Sequence, residues 1–145
     1  MTSRFAAMTN AFVVAWMATM APGVGGVDLG AQSTAAEKRF DVAFPIECRV
    51  SAADDIFLST AHGRPTAYVA VHQFQGMEHE PYFRAVEEVM RSLGGRPHWG
   101  KLHYQDHRTL RDLYPAWGRF AAVRERLDPH GRFQNAYLDR VLGEV

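Results

Sequence analysis

An amphipathic segment that follows a stretch of β-forming residues constrains the fold of this chain more than any other feature. Apolar residues recur at helical spacing from Glu80 to Leu93, and charged residues occupy the opposite side. Gly94-Gly95 follows and predicts an αL end to this helix. Thr66 to Phe74 precedes it and has the composition of a β-strand. We therefore predict a strand followed by a helix with one apolar face.

Two further segments have the character of strands. Asp41 to Ser51 alternates apolar and polar residues, which is the period of a strand with one buried face. Pro45 has no N–H to give a neighbour and favours an edge, a bulge or the start of that strand. Pro97 to Leu102 is predicted to be extended again after the glycine pair.

Short helices complete the pattern. A short helix, capped by Ser33 or Thr34, is predicted to extend to Arg39. Two short helices are predicted at Thr109–Tyr114 and Pro115–Leu127, divided at the proline, and Asp128–Gly131 is predicted as a turn. The order strand, strand, helix, strand, helices predicts an α+β fold, in which helices cover an antiparallel sheet.

Composition excludes several classes of function. The chain has 145 residues, about one domain, and 47% of them are hydrophobic, which is enough for a core. Lys plus Arg and Asp plus Glu number 16 each, so no net field recruits nucleic acid. Cys48 is the single cysteine and excludes both an internal disulfide and a cysteine-rich zinc module. A reducing cytoplasm fits this content.

Residues 1–38 have the character of an apolar leader that is disordered or signal-like, ahead of a domain at residues 39–145. The apolar run at residues 11–21 resembles a secretory signal, but it is short for a membrane span of about 20 residues. The alternatives are a poorly ordered or weakly helical leader, or an unusual start of the chain. We expect a cytoplasmic protein, with membrane association or export through residues 11–21 as the alternative.

A carboxylate and a guanidinium lie two residues apart in the first predicted strand. Glu47 and Arg49 therefore leave the same face, where they can hold a small polar ligand between an acceptor and a planar donor fork. The alternative is a solvated surface pair. Cys48 and Val50 are assigned to the core face, which makes Cys48 an inert residue rather than a nucleophile. His72 lies in the second strand and is either a site residue or a half-buried hydrogen-bonded one.

The segment Arg96-Pro97-His98-Trp99-Gly100-Lys101-Leu102-His103 concentrates two imidazoles, an indole and an ammonium. The Lys101 ammonium can stabilise an anion that develops on a planar ring, and Gly100 leaves room for it. In an ideal strand Trp99 shares a face with Lys101 and His98 does not, so a bulge or turn decides which residues converge. His98 and His103 lack a nearby carboxylate set, and no metal site is predicted.

Four ordered motifs closely resemble the C-terminal part of the aldonolactone oxidase family, which includes L-gulonolactone and D-arabinonolactone oxidases and dehydrogenases. The resemblance covers about residues 40–143. Its motifs are Phe44-Pro45-Ile46-Glu47-Cys48-Arg49, Val71-His72-Gln73, Gly95 to His103, and Leu127 to Leu138.

This resemblance implies an FAD-linked oxidoreductase of the vanillyl-alcohol-oxidase type, in which the C-terminal cap contacts a sugar lactone or polyol. It implies that Glu47 and Arg49 bind the substrate hydroxyls and that His72 lines the same pocket. His98 is implied to contact substrate, to support its loop or to assist proton handling.

The resemblance also implies cofactor contacts and catalytic roles. Lys101 is expected at the N1/O2 edge of the flavin, where it stabilises the anionic reduced ring after hydride transfer. His98, Asn135 and Tyr137 are also expected to contact FAD, the last two where the chain returns toward the FAD-binding domain. Glu47 and Arg49 complete the catalytic set with Lys101.

The chain departs from the family's pattern because no flavin-binding domain is recognisable in it. Gly23 to Gly30 has no preceding strand and no firm following helix, so it does not make a phosphate-binding loop. We therefore expect a fragment that is active only when a separate FAD-binding domain is supplied, or that associates with itself. The alternatives are a non-catalytic α+β binding or assembly module and a degenerate product without function.

Overall fold

A computed structural model describes residues 11–19, 40–42 and 44–144 of the chain. This part contains four strands and four helices in the following order: β1 (Ala11–Thr19), β2 (Glu47–Ser51), β3 (Thr66–Phe74), α1 (Glu80–Ser92), β4 (Arg96–Pro97), α2 (His107–Leu113), α3 (Trp117–Leu127) and α4 (Ala136–Leu142).

The strands form one antiparallel sheet with the order β2-β3-β1-β4. Strand β3 pairs with β1 along its whole length, from Thr19↔Thr66 to Ala11↔Phe74. It pairs with β2 from Ser51↔Thr66 to Glu47↔Ala70. The predicted α+β fold is confirmed.

Helix α1 covers one face of the sheet. Val69 and Val71 point to this face because side chains alternate along a strand, and both are about 1% exposed. They pack against apolar residues of α1 that are spaced by three and four positions. The α1 members of this core are Tyr82, Phe83, Val86 and Met90. The alternation leaves Tyr68, Ala70 and His72 on the opposite face of β3.

The C-terminal helices form a second cluster around Leu110, Tyr114 and Val141, all of which are buried. Helix α2 begins at a capping box, in which the Asp106 carboxylate accepts the N–H groups of Arg108 and Thr109. This layer packs behind the segment that follows β4, because Trp99 joins the same cluster.

Several local predictions are confirmed. The second predicted strand matches β3, and α1 ends just before Gly94, which has a φ of 67°. Two helices on either side of Pro115 are present as α2 and α3, with bounds that differ by a few residues. The turn at Asp128–Gly131 is closed by a 3.2 Å bond from the Gly131 N–H to the Asp128 carbonyl.

The predicted strand at Asp41–Ser51 is wrong in its first half. Strand β2 begins only at Glu47, after a bend at Phe44 and the proline that cannot donate to a ladder. The assignment of Cys48 and Val50 to the core is also wrong, because both are exposed and Val50 is 76% exposed. Strand β2 is an edge strand, and the described core between the sheet and α1 includes Val69 and Val71 of β3.

The apolar run at residues 11–21 was assigned to a leader, but Ala11–Thr19 form β1, which lies between β3 and β4. Nine residues without a charge, including valines and aromatic residues, are typical of an interior strand. The domain boundary at residue 38 stays a prediction, and the helix predicted at residues 33–39 lies outside the described residues. In the described part of the chain, the helices are too short or too polar to cross a membrane. The cytoplasmic location stays a prediction.

Candidate functional site

A cavity of about 540 Å³ lies on the face of the sheet opposite α1. Three separate segments contribute to it: strand β2, strand β3 and the residues that follow β4. The lining residues are Glu47, Arg49, Val50, Tyr68, Ala70, His72, His98 and Lys101. The structure thus brings together five of the side chains predicted from the sequence.

The pairing of β2 with β3 places a carboxylate and a guanidinium on the cavity face. Glu47 is opposite Ala70 and Arg49 is opposite Tyr68 in the register. Nε of Arg49 donates to Oε1 of Glu47 at 2.7 Å, and Nη2 forms an ion pair with the same oxygen. Both side chains remain open to solvent, at 73% for Arg49 and 42% for Glu47. Within the described residues, Oε2 of Glu47 accepts no hydrogen bond and Nη1 of Arg49 donates none.

A tight turn at His98–Lys101 brings the other two polar residues to the cavity. The Lys101 N–H donates to the His98 carbonyl at 3.0 Å, and the Gly100 N–H donates to His98 Nδ1 at 3.0 Å. The prediction of an extended chain from Pro97 to Leu102 is therefore wrong, because β4 ends at Pro97. The turn reverses the strand alternation, so that His98 and Lys101 converge and Trp99 points away.

Trp99 fixes the turn from its other side. Its Nε1–H donates to the Leu58 carbonyl at 2.9 Å, and its ring lies 5.1 Å from the Tyr114 ring. Its own carbonyl accepts a hydrogen bond from the Tyr137 hydroxyl. The position of Lys101 is therefore set by contacts behind the turn, with the loop between β2 and β3 and with the helical layer.

His72 and Tyr68 contribute two aromatic rings to the β3 side of the cavity. His72 is half-buried, and its ring meets the Phe44 ring edge-on at 6.1 Å. Tyr68 was not singled out from the sequence, although its spacing from His72 by four strand positions predicts the same face. The Tyr68 hydroxyl lies 3.4 Å from Oγ1 of Thr60. Tyr68 thus adds an aromatic ring and a hydroxyl to the site.

Asn135 and Tyr137 lie in the helical layer and do not line this cavity, and their predicted contact with FAD stays a prediction. The Asn135 side chain caps α4 by accepting the Leu138 N–H at 2.9 Å. The Tyr137 ring packs in the C-terminal cluster, and its hydroxyl donates to the Trp99 carbonyl at the back of the turn. Asn135 is placed by its role as the N-cap of α4, and Tyr137 by its position on the apolar face of that helix.

His103 is buried behind the turn rather than in the cavity. Its Nε2 lies 3.1 Å from the Tyr137 hydroxyl. Because that hydroxyl donates to Trp99, it must accept from Nε2–H, which makes His103 the neutral Nε2–H tautomer. Burial, with a smaller contribution from Arg140, lowers the pKa of His103 to about 4. Within the described residues, His103 and His98 belong to no group of three metal-ligating side chains.

The fold and the cavity define an α+β domain with a polar pocket on the sheet face opposite its first helix. A family profile described as D-arabinono-1,4-lactone oxidase matches residues 29–141, and the chain belongs to this family.

Three relatives illustrate the similarity. An L-gulono-1,4-lactone dehydrogenase of Mycobacterium tuberculosis is 66% identical over 102 residues, which cover 70% of this chain and 24% of that protein. The L-gulonolactone oxidase of Bos taurus is 39% identical over 102 residues, covering 68% and 23%. An alditol oxidase of a Streptomyces species is 37% identical over 99 residues, covering 66% and 23%. The matched part of the chain thus spans about a quarter of the length of these relatives.

Proposed function

We propose that this chain forms the substrate-binding part of an FAD-linked oxidoreductase that acts on a CH–OH group of a sugar-1,4-lactone or polyol. One observation carries the proposal: Glu47, Arg49, His72, His98 and Lys101 come from three segments and line one cavity. The names of the relatives, which include lactone dehydrogenases, lactone oxidases and an alditol oxidase, support the class of substrate.

The cavity has the chemistry of a site for a small polyhydroxylated molecule. Its volume of about 540 Å³ lies within the range of small-molecule pockets. Glu47 accepts hydrogen bonds from hydroxyl groups, and the fork of Arg49 donates to hydroxyl or carbonyl oxygens. Because these two charges neutralise each other, the β2 side of the cavity favours an uncharged ligand. The Tyr68 ring offers an apolar surface to the C–H face of a sugar.

The residues around the turn fit the ring of a flavin. Among the described residues, no carboxylate lies within ion-pair distance of the Lys101 ammonium, so its charge is available to an anionic ring edge. Gly100 keeps the turn narrow, since a Cβ there would lie 3.4 Å from the His98 ring. Lys101 and His98 would hold the ring edge, and Glu47 and Arg49 would orient the reacting hydroxyl. FAD, when bound, supplies the site that accepts hydride from substrate carbon.

Most contacts to FAD are proposed to come from a separate FAD-binding domain, or from another part of a longer protein. In this arrangement Lys101 would stabilise the negative charge of the reduced flavin ring, and Glu47 would hold the substrate hydroxyl. Electrostatic stabilisation of this kind is commonly a large contribution to catalysis.

Lactone binding by the chain itself tests the substrate assignment. Titration calorimetry with L-gulono-1,4-lactone and D-arabinono-1,4-lactone should show binding, and Glu47→Gln should weaken it about tenfold by removing a charged acceptor. Glu125→Gln, on the exposed side of α3, is the matched control and should bind as the wild type does. Absence of binding at millimolar lactone would overturn the proposal and favour the non-catalytic module.

A reconstituted reaction tests the role of Lys101. The chain is combined with the FAD-binding part of a relative, and lactone-dependent dye reduction is measured. Lys101→Ala should lower the rate about a hundredfold, as expected for loss of a charge that stabilises the anionic product. Arg126→Ala removes an exposed charge of α3 and should leave the rate unchanged. Equal rates for the wild type and Lys101→Ala would exclude the assigned role.

A further inference from the structure

We propose that Tyr137 is a positioning residue, whose hydroxyl holds the His98–Lys101 turn in place from behind without touching the ligand. This inference rests on the proposed function of the cavity. Tyr137 lies on α4, in the helical layer on the far side of the turn, and is not among the residues that line the cavity.

The turn is held at three points on its rear side. The Tyr137 hydroxyl donates to the Trp99 carbonyl. The Trp99 indole donates to the Leu58 carbonyl at 2.9 Å, and the Tyr114 hydroxyl donates to the Pro97 carbonyl at 3.4 Å. Of these three bonds, the one from Tyr137 reaches the backbone between His98 and Lys101, so it acts most directly on their separation.

Helix α4 gives Tyr137 a fixed position. Val141, one turn further along this helix, is fully buried in the C-terminal cluster. Nη1 of Arg140 donates to the carbonyls of His103 at 3.1 Å and Gln105 at 2.6 Å. The helix is thereby joined to the extended segment that follows Lys101, and the phenol is held between this segment and the turn.

A directed chain of hydrogen bonds passes through the phenol. His103 Nε2–H donates to the Tyr137 hydroxyl, which donates to the Trp99 carbonyl. A donor in such a chain is polarised by the bond that it accepts, which strengthens its hold on the carbonyl. Removing the hydroxyl leaves the Trp99 carbonyl and His103 Nε2 without a partner among the described residues, while both apolar clusters keep their side chains.

Placement of charged groups is sensitive to such support. Functional side chains need to be held within about 0.5 Å of their working positions, and groups outside the site commonly provide this precision. A turn freed from its rear contact samples other arrangements, in which the Lys101 ammonium and the His98 ring separate. The cavity then loses affinity although each of its lining residues is unchanged.

Tyr137→Phe tests the inference, with Tyr104→Phe as the matched control. The Tyr104 ring lies against the Arg84 guanidinium at 3.8 Å, and its hydroxyl makes no hydrogen bond with the described residues. Amide hydrogen exchange is measured by NMR at the Lys101 N–H, which bonds to the His98 carbonyl, and at the Met90 N–H in α1. The affinity for L-gulono-1,4-lactone is measured on the same samples.

Tyr137→Phe should speed exchange at Lys101 about tenfold relative to exchange at Met90 and weaken lactone binding about tenfold. Tyr104→Phe should change neither. Equal acceleration at both amides, or loss of the fold, would overturn the inference, because the hydroxyl would then serve global stability. Unchanged exchange at Lys101 would overturn it as well. If the wild-type chain binds no lactone, the proposed function fails, and the exchange comparison still decides whether Tyr137 holds the turn.

Discussion

Protonation of His103 should make the stability of this protein depend on pH in a narrow window. His103 is 5% exposed, and its Nδ1 has no hydrogen-bond partner among the residues that the structure describes. A second proton would have to bind at Nδ1, in a buried position near the Arg140 guanidinium. Burial and this guanidinium lower the pKa of His103 from 6.5 to about 4.

The sign follows from the two pKa values. Between about pH 6.5 and pH 4 the unfolded chain binds a proton at His103 and the folded chain does not. Protonation therefore favours unfolding, and the stability that is present above pH 6.5 is lost as the pH falls toward 4. For these two pKa values, the loss between pH 7 and pH 5 amounts to about 2 kcal/mol.

Urea unfolding of the wild type and of His103→Gln at pH 7 and pH 5 isolates this contribution. Glutamine can still donate to the Tyr137 hydroxyl but does not titrate, and all other ionisable groups cancel between the two proteins. The difference in free energy of unfolding should change by about 2 kcal/mol between the two pH values, to the disadvantage of the wild type at pH 5. A difference that stays constant, or an NMR titration of wild-type His103 with a midpoint near pH 6.5, would refute the reasoning.

Three further predictions concern stability. Met90→Ala removes a fully buried side chain and should lower the free energy of unfolding by about 2–5 kcal/mol in urea unfolding, whereas Leu127→Ala at a 72% exposed position should change it by less than about 0.5 kcal/mol. Asp106→Ala removes the N-cap of α2 and should cost about 1 kcal/mol in the same assay; an unchanged midpoint would contradict the capping geometry. Arg49→Met breaks the exposed pair with Glu47 and should change stability by less than about 1 kcal/mol. The same variant should weaken lactone binding in calorimetry. A large loss of stability with unchanged affinity would show that the pair serves the fold and not the ligand.

Local patterns in the sequence predicted the helix and the strand whose formation depends on residues close together in the sequence. The helix predicted from the apolar spacing and the strand predicted from the β-forming run are present as α1 and β3, with closely similar bounds. Glu47, Arg49 and His72 are predicted in strands as candidate site residues, and in the structure all three line one cavity. Period alone suffices there, because each residue's face follows from its position within a single strand.

The same reasoning failed where a residue's surroundings come from distant parts of the chain. Cys48 has the period of a core residue but is exposed, because strand order puts β2 at the edge of the sheet. Ala11–Thr19 is predicted as part of a leader, because the local sequence does not show that this apolar run pairs with β3 in the fold. Asn135 and Tyr137 cap and pack α4 in the helical layer, and their predicted contact with FAD stays a prediction.

The sequence by itself determined which side chains are available for the site and which helix and strand carry them, because side-chain period and turn residues act over a few positions. The tertiary structure decided which of them meet. The turn at His98–Lys101 reverses the alternation that an extended chain would have. Its rear hydrogen bonds with Leu58, Tyr114 and Tyr137 join residues that are 17 to 41 positions apart in the sequence. Such contacts depend on packing between segments that are distant in sequence, and only the folded chain brings them together.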